Sequence, residues 1–210
     1  MHQYDHPRRA LAIALAGLAG YVDAAGFLSA DRYFVSFMSG NTTRLGVDLI
    51  QFPALAWIPA LLIAGFVLGV IGGALLAARA GQHRKPVVLG TVTLLLAGAA
   101  TTQALGHTPA MLALLVAAMG ALNNTFQRGG EVSVGLTYMT GALVRMGQGL
   151  AAWLTGTGGE GWSGWLLLWL GLALGAVLGA VGWLHAPALV LWIAVAWTGT
   201  LAFLSRRLKG

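Results

Sequence analysis

Ser36-Phe37-Met38-Ser39-Gly40, followed by Arg44-Leu45-Gly46, returns in the second half of the chain as Thr137-Tyr138-Met139-Thr140-Gly141, followed by Arg145-Met146-Gly147. Aligned without gaps, 36–49 and 137–150 share Met, Gly, Arg, Gly and Leu, with Ser/Thr, Phe/Tyr and Leu/Met exchanges between them. Each stretch carries an arginine in apolar surroundings. Arginine inside an apolar span is costly enough that it usually faces a bundle interior, a cavity or a partner charge. The pair therefore reads as a duplicated membrane protein with one polar signature in each half.

The chain around the signatures is nearly uncharged. Its 210 residues include 12 Lys/Arg and 6 Asp/Glu, are 58% hydrophobic, and have a mean hydropathy of +0.78. With histidine counted neutral, Pro86 to Gln127 and Gly161 to Ser205 carry no charge at all. A spanning helix takes roughly 20 apolar residues, so each run holds two crossings joined by a tight turn, marked by Pro109 and Pro187. A soluble domain of this size could not hide so much apolar surface. The expected fold is all-α, a polytopic transmembrane helical bundle. It forms a single membrane domain over 1–210, with halves at about 10–105 and 110–205.

The net charge of +6 resides in short clusters, Arg8-Arg9, Arg79 to Lys85 and Arg206 to Lys209, each beside a hydrophobic segment. That placement predicts cytoplasmic anchoring against the lipid bilayer and no nucleic-acid partner. Cysteine is absent, which removes disulfides, thiolate metal sites and cysteine nucleophiles. Met1 to Arg9 followed by the apolar run from Ala10 has the look of a secretory leader. Further hydrophobic segments follow, so an uncleaved first helix accounts for the same residues. The expected location is a bacterial inner membrane.

Hydropathy and breakers divide the chain into eight segments, about 10–29, 34–51, 54–78, 87–105, 110–127, 132–156, 164–185 and 188–205. If all eight cross, Arg32, Arg79, Arg84, Lys85 and Arg128 fall outside against Arg8, Arg9, Arg206, Arg207 and Lys209 inside, a poor fit to the positive-inside rule. If the second and sixth enter and return, or run as broken half-helices, only Arg32 is left outside. Six crossings with both termini cytoplasmic are therefore favoured, with the second half inverted relative to the first. Segment 132–156 stands against this, being long enough to span. Duplication draws further support from Gly20 and Asp23 matching Gly120 and Asn123, and Gly65-Gly69-Gly73 matching Gly171-Gly175-Gly179. The glycine ladders predict close helix packing and no chemistry.

Candidate functional residues cluster at the signatures. Asp23 falls in the last third of the first helix, and Ser39, Gly40, Asn41, Thr42, Arg44 and Asp48 crowd the second segment. Arg44 and Asp48, four apart, stand one above the other on a helix face. They form either a structural ion pair or a coupling carboxylate, Asp23 or Asp48, with Arg44 as counter-charge or anion clamp. The second half keeps Thr140, Gly141 and Arg145 but replaces carboxylates with amides, including Asn123, Asn124, Gln127 and Gln148. Glycine beside Ser/Thr is a natural break point, tolerated at membrane depth where it lines a cavity; the plainer reading is tight packing. Histidines at 2, 6, 83, 107 and 185 lack metal-ligand spacing, and neither a phosphate loop nor a Gly-x-Ser-x-Gly elbow is present, so no enzyme, metal or cofactor is expected. Five of the eight tryptophans lie between 153 and 183 and read as interface anchors.

Gly20-Tyr21-Val22-Asp23-Ala24, Phe34-Val35-Ser36-Phe37-Met38-Ser39-Gly40-Asn41-Thr42, Ala118-Met119-Gly120 with Asn123-Asn124, and Thr137-Tyr138-Met139-Thr140-Gly141 together resemble the YoaK-like family of bacterial integral membrane proteins. The resemblance runs from about residue 9 to 205. It implies a multipass membrane protein and supplies no substrate. Asn123-Asn124 departs from the Gln-Asn-Ala type expected there and keeps the amide character. The functional expectation is a permease or an ion- or proton-coupled transporter for a small polar or anionic solute, with a homo-oligomer compatible. The competing expectation is a non-transporting assembly or regulatory protein whose polar motifs serve helix packing.

Overall fold

A computed structural model describes residues 5–30, 32–128, 131–159 and 161–208. Lys209, counted in the C-terminal basic cluster, and the first four residues of the basic leader lie outside the described residues. Among those described, α1 runs His6–Ser29, α2 Met38–Gln51, α3 Trp57–Ala80, α4 Arg84–Ala104, α5 Thr108–Leu122, α6 Met139–Leu154, α7 Trp162–His185 and α8 Pro187–Ser205. Asp5 caps α1, its carboxylate accepting from the Arg8 amide at 3.0 Å, and Pro7 occupies the first turn. Pro109 and Pro187 likewise stand in the first turns of α5 and α8, where proline's missing donor costs nothing. Between α3 and α4 the chain reverses through a short 3-10 turn at Gly81–His83, with Gly81 at φ +51.

Among the described residues, five continuous stretches are long and apolar enough to cross a membrane: His6–Ser29, Pro53–Ala104, Thr108–Thr125, Trp162–His185 and Pro187–Ser205. The second is 52 residues long and holds both α3 and α4, which pack against each other. The signature helices differ. α2 has 14 residues and α6 has 16, about 21 and 24 Å of helix, short of the ~30 Å hydrocarbon core. The segments expected at 34–51 and 132–156 are thus only partly helical. Before α6 the chain makes a 3-10 turn at Asn123–Thr125 and a small hairpin, β1 Gln127–Arg128 against β2 Glu131–Val132. The β-branched Val132 and Val134 and the flexible Gly135 in this approach disfavour an earlier helix start.

α1 lies along α7, α3 along α5, and α4 between α5 and α8, while α2 rests on α3 and α6 on α7. Glycine makes the two long contacts possible. A Cβ built on Gly175 or Gly179 would collide with the backbone of Gly17 or Tyr21, and one on Gly20 with Leu172 and Ala176. On the other pair, Gly69 and Gly73 meet Ala117 and Ala121, and Gly120 meets the backbone of Phe66 and Val70. The ladders expected to pack do so. Their helices bury small residues and turn large ones outward: α3 encloses Gly69, Gly73 and Ala77 but exposes Leu68, Ile71 and Leu75. In water that surface would aggregate; in a bilayer it is the solvent-facing side.

Replacing Gly175 with alanine forces α1 from α7 and is expected to cost about 1–3 kcal/mol. Gly72→Ala, with nothing within 4 Å of the new methyl, should stay within about 0.5 kcal/mol of wild type. Thermal unfolding of the detergent-solubilised protein checks both.

Candidate functional site

Between α1 and α2 the backbone is not helical, and in a bilayer its amides have no water to turn to. Asp23, in the penultimate turn of α1, supplies the partner: its Oδ1 accepts from the amides of Val35 and Ser36 at 2.8 and 2.7 Å. Asn41, in the first turn of α2, holds the same strand from the other side. Its Oδ1 accepts from the Phe34 amide at 3.1 Å and its Nδ2 donates to the Phe34 carbonyl at 2.7 Å. Phe34 stacks between Phe27 and Phe37, with ring centroids 4.8 and 5.2 Å away. Arg32 takes φ +63 where the chain turns out of α1.

The approach to α6 is held by amides. Asn123 donates to the Met119 carbonyl at 3.0 Å and shares a hydrogen bond with the Thr137 hydroxyl at 3.2 Å. Asn124 donates to the Val70 carbonyl of α3 at 3.0 Å, and Gln127 donates to Asn124 Oδ1 at 2.7 Å. Asn123 therefore reaches Thr137 through its hydroxyl, where Asp23 reaches Ser36 through its backbone amide.

The two arginines stand apart from these tethers. Arg44 Nε lies 3.6 Å from Asp48 Oδ2, and its guanidinium sits 4.6 Å from the Tyr33 ring centroid. The Tyr33 hydroxyl makes a long 3.5 Å contact with the same carboxylate. Asp48 is 3% exposed and Arg44 41%, so a buried carboxylate is neutralised by a half-open cation. Arg145 places its guanidinium 4.7 Å from the Trp165 ring centroid. Each signature arginine is thus laid on an aromatic face beside its own helix.

Where the helices begin, the signatures meet. Ser36 to Ser39 and Thr137 to Gly141, with Phe66 of α3, line one cavity of about 240 Å³. Five hydroxyl-bearing residues, Ser36, Ser39, Thr137, Tyr138 and Thr140, line it together with the rings of Phe37 and Phe66, and among the described residues no charged one does. Neither α2 nor α6 has a side-chain cap, so two helix N-termini with their positive dipole ends converge there.

Of the residues expected from sequence, Ser39, Thr140 and Gly141 line this cavity. Asp23, Asn41, Asn123 and Asn124 hold the backbone around it. Gly40 packs under Phe34 and Phe37, where a Cβ would press on both rings. Thr42 turns its hydroxyl back to the Met38 carbonyl at 2.9 Å. Arg44, Asp48 and Arg145 lie outside the lining. Sequence reasoning passed over Ser36, Phe37, Thr137 and Tyr138 as individual residues although they stand in the quoted signatures; Phe66 carried no signal in its apolar helix. Among the described residues no group of three His, Asp or Glu gathers as a metal site.

Asp23→Ala strands two backbone amides and is expected to cost about 1–3 kcal/mol. Asp23→Asn keeps an acceptor oxygen, as Asn123 does, and should retain most of that stability. Thermal midpoints of the two variants give the comparison.

The sequence profile of the family described as "Protein of unknown function (DUF1275)" matches residues 11–204. A UPF0700 transmembrane protein of Rhizobium meliloti (strain 1021) is 41% identical over 185 residues, covering 88% of this chain and 80% of its own length. No solved structure matches. With the apolar spans and inside-out packing already described, these likenesses settle the family: the chain is a membrane protein of the DUF1275 family.

Proposed function

We propose that this protein is an inner-membrane permease for a small polar or anionic organic solute, and that the cavity shared by the two signatures is its solute site. The observation that carries the reading is the convergence of both signatures, at the N-termini of α2 and α6, on one partly open cavity. Helix N-termini favour ligand oxygens, and paired half-helices meeting inside a bundle are a recurring transporter site. The lining serine, threonine and tyrosine residues offer further hydrogen bonds, and the aromatic rings accept an apolar body. The protein performs no covalent chemistry in this reading.

The same reading takes the chain as an inverted duplication of about 10–105 and 110–205. Equivalent contacts support it: Gly20 meets α7 as Gly120 meets α3, and Gly175 and Gly179 meet α1 as Gly69 and Gly73 meet α5; Asp23 reaches Ser36 through its backbone amide and Asn123 reaches Thr137 through its hydroxyl. α2 and α6 enter and return, giving six crossings with both termini cytoplasmic. A second reading, a non-transporting assembly protein, is favoured by one observation: the arginines are engaged in packing, Arg44 with Asp48 and Tyr33 and Arg145 with Trp165 of α7, and stay out of the cavity lining.

Screened against small organic anions, amino acids, sugars and nucleobases, the detergent-solubilised protein should gain stability with one chemical class, by about 2.7 kcal/mol at a hundredfold excess over Kd. Ser39→Ala with Thr140→Ala should abolish that gain while the unliganded protein stays folded; a flat panel on folded protein favours the assembly reading. A reporter fused in the 80–85 loop should read cytoplasmic, and a periplasmic result would remove the inverted arrangement.

A further inference from the structure

A larger chamber of about 530 Å³ lies between the N-terminal halves of α3 and α5 at the end of α1. Its walls are Leu61, Leu62 and Gly65 of α3 and Leu112 and Ala113 of α5, with Tyr33 at its edge. Two chain segments lead from it to the signature cavity. Along α3, Leu62 and Gly65 border the chamber and Phe66, the next residue, borders the cavity. Along the loop, Tyr33 borders the chamber and Ser36 the cavity. Phe66 is the α3 residue that follows the chamber's Gly65 and lines the signature cavity, and its backbone carbonyl is pressed against Gly120, so the ring has a fixed base.

The corresponding place at the other end is shut. Under the duplication, α5 corresponds to α1 and α3 to α7, so Leu112 and Ala113 match Ala12 and Ile13, and Gly65 matches Gly171. Ala12 is buried and Ile13 half-buried, whereas Leu112 is half-buried and Ala113 exposed. A Cβ on Gly171 would meet the Ile13 carbonyl at 2.8 Å; one on Gly65 meets only the Val116 side chain, at 3.3 Å. α7 is closed onto α1 where α3 stands off from α5.

We propose that the α3/α5 chamber is the outer vestibule of the solute site, that Phe66 gates the passage between them, and that the structure is the outward-open member of a pair of states whose inward-open member parts α1 from α7. This rests on the permease reading and extends it to the solute's character. Walls of leucine, alanine and glycine favour an organic solute with an apolar body over a bare inorganic ion, which would lose hydration there without replacement.

The chain contains no cysteine, so single cysteines report directly. In intact cells treated with a membrane-impermeant, sulfonated thiol reagent, Ala113→Cys should react at least tenfold faster than Ala12→Cys. Reaction of Ala113→Cys only with a membrane-soluble maleimide, only in inside-out vesicles, or no faster than Ala12→Cys would overturn the vestibule. For the gate, Ser36→Cys, a buried position that lines the cavity, should react slowly from outside and at least tenfold faster once combined with Phe66→Ala; an unchanged rate refutes it. The three cysteine substitutions are each small, and membrane abundance confirms folding. Labelling reads the path alone and the ligand panel reads the cavity alone, so either can fail without the other.

Discussion

The hydrogen bonds from the amides of Val35 and Ser36 to Asp23 set the conditions for everything built around the signatures. A bilayer offers no partner to a non-helical backbone, so a chain that leaves helix geometry at membrane depth must bring its own acceptors. Asp23 does this from α1 and Asn41 from α2, and together they fix the extended segment 34–36. That segment delivers Met38 as the first residue of α2, and so decides where α2 starts, without a side-chain cap.

The approach to α6 is tied down differently, by neutral side chains. Asn123 bonds the Thr137 hydroxyl and the Met119 carbonyl, and Asn124 adds a tie to the Val70 carbonyl of α3. A carboxylate is a stronger acceptor than an amide, while an amide both donates and accepts and brings no charge into the bundle. The difference leaves one carboxylate of this tether system on the α1 side and none on the other, which gives the two ends of the protein different electrostatics around one shared cavity.

The rest of the bundle exists to hold the two tethered approaches at a fixed spacing. Without a hydrophobic drive between helices in lipid, close backbone approach through glycine gives α1–α7 and α3–α5 their attraction. Phe66 and Leu172, whose backbones are clasped by Gly120 and Gly20, sit within these contacts. Any movement of α3 against α5 therefore carries Phe66 with it, which links helix packing to the opening of the cavity.

Much of this was legible in the chain. Charge-free runs, prolines at the turns and the glycine ladders located the helices and their contact faces, because apolar length and the absence of a Cβ act locally. The same local logic identified Arg44 and Asp48 as neighbours four apart on one helix. What stayed hidden was which polar residues face each other across the bundle. Arg44, Arg145 and Thr42 looked like site residues by composition, yet Arg44 and Thr42 bond within α2 and Arg145 lies on Trp165 of α7, while Phe66 had no polar mark at all. Sequence by itself determined a membrane-spanning helical protein with two related polar signatures, since burial in lipid is dictated by side-chain transfer energies. Only the tertiary structure decided that both signatures border one cavity and that α3 stands off from α5, because those facts depend on contacts between segments far apart in the chain.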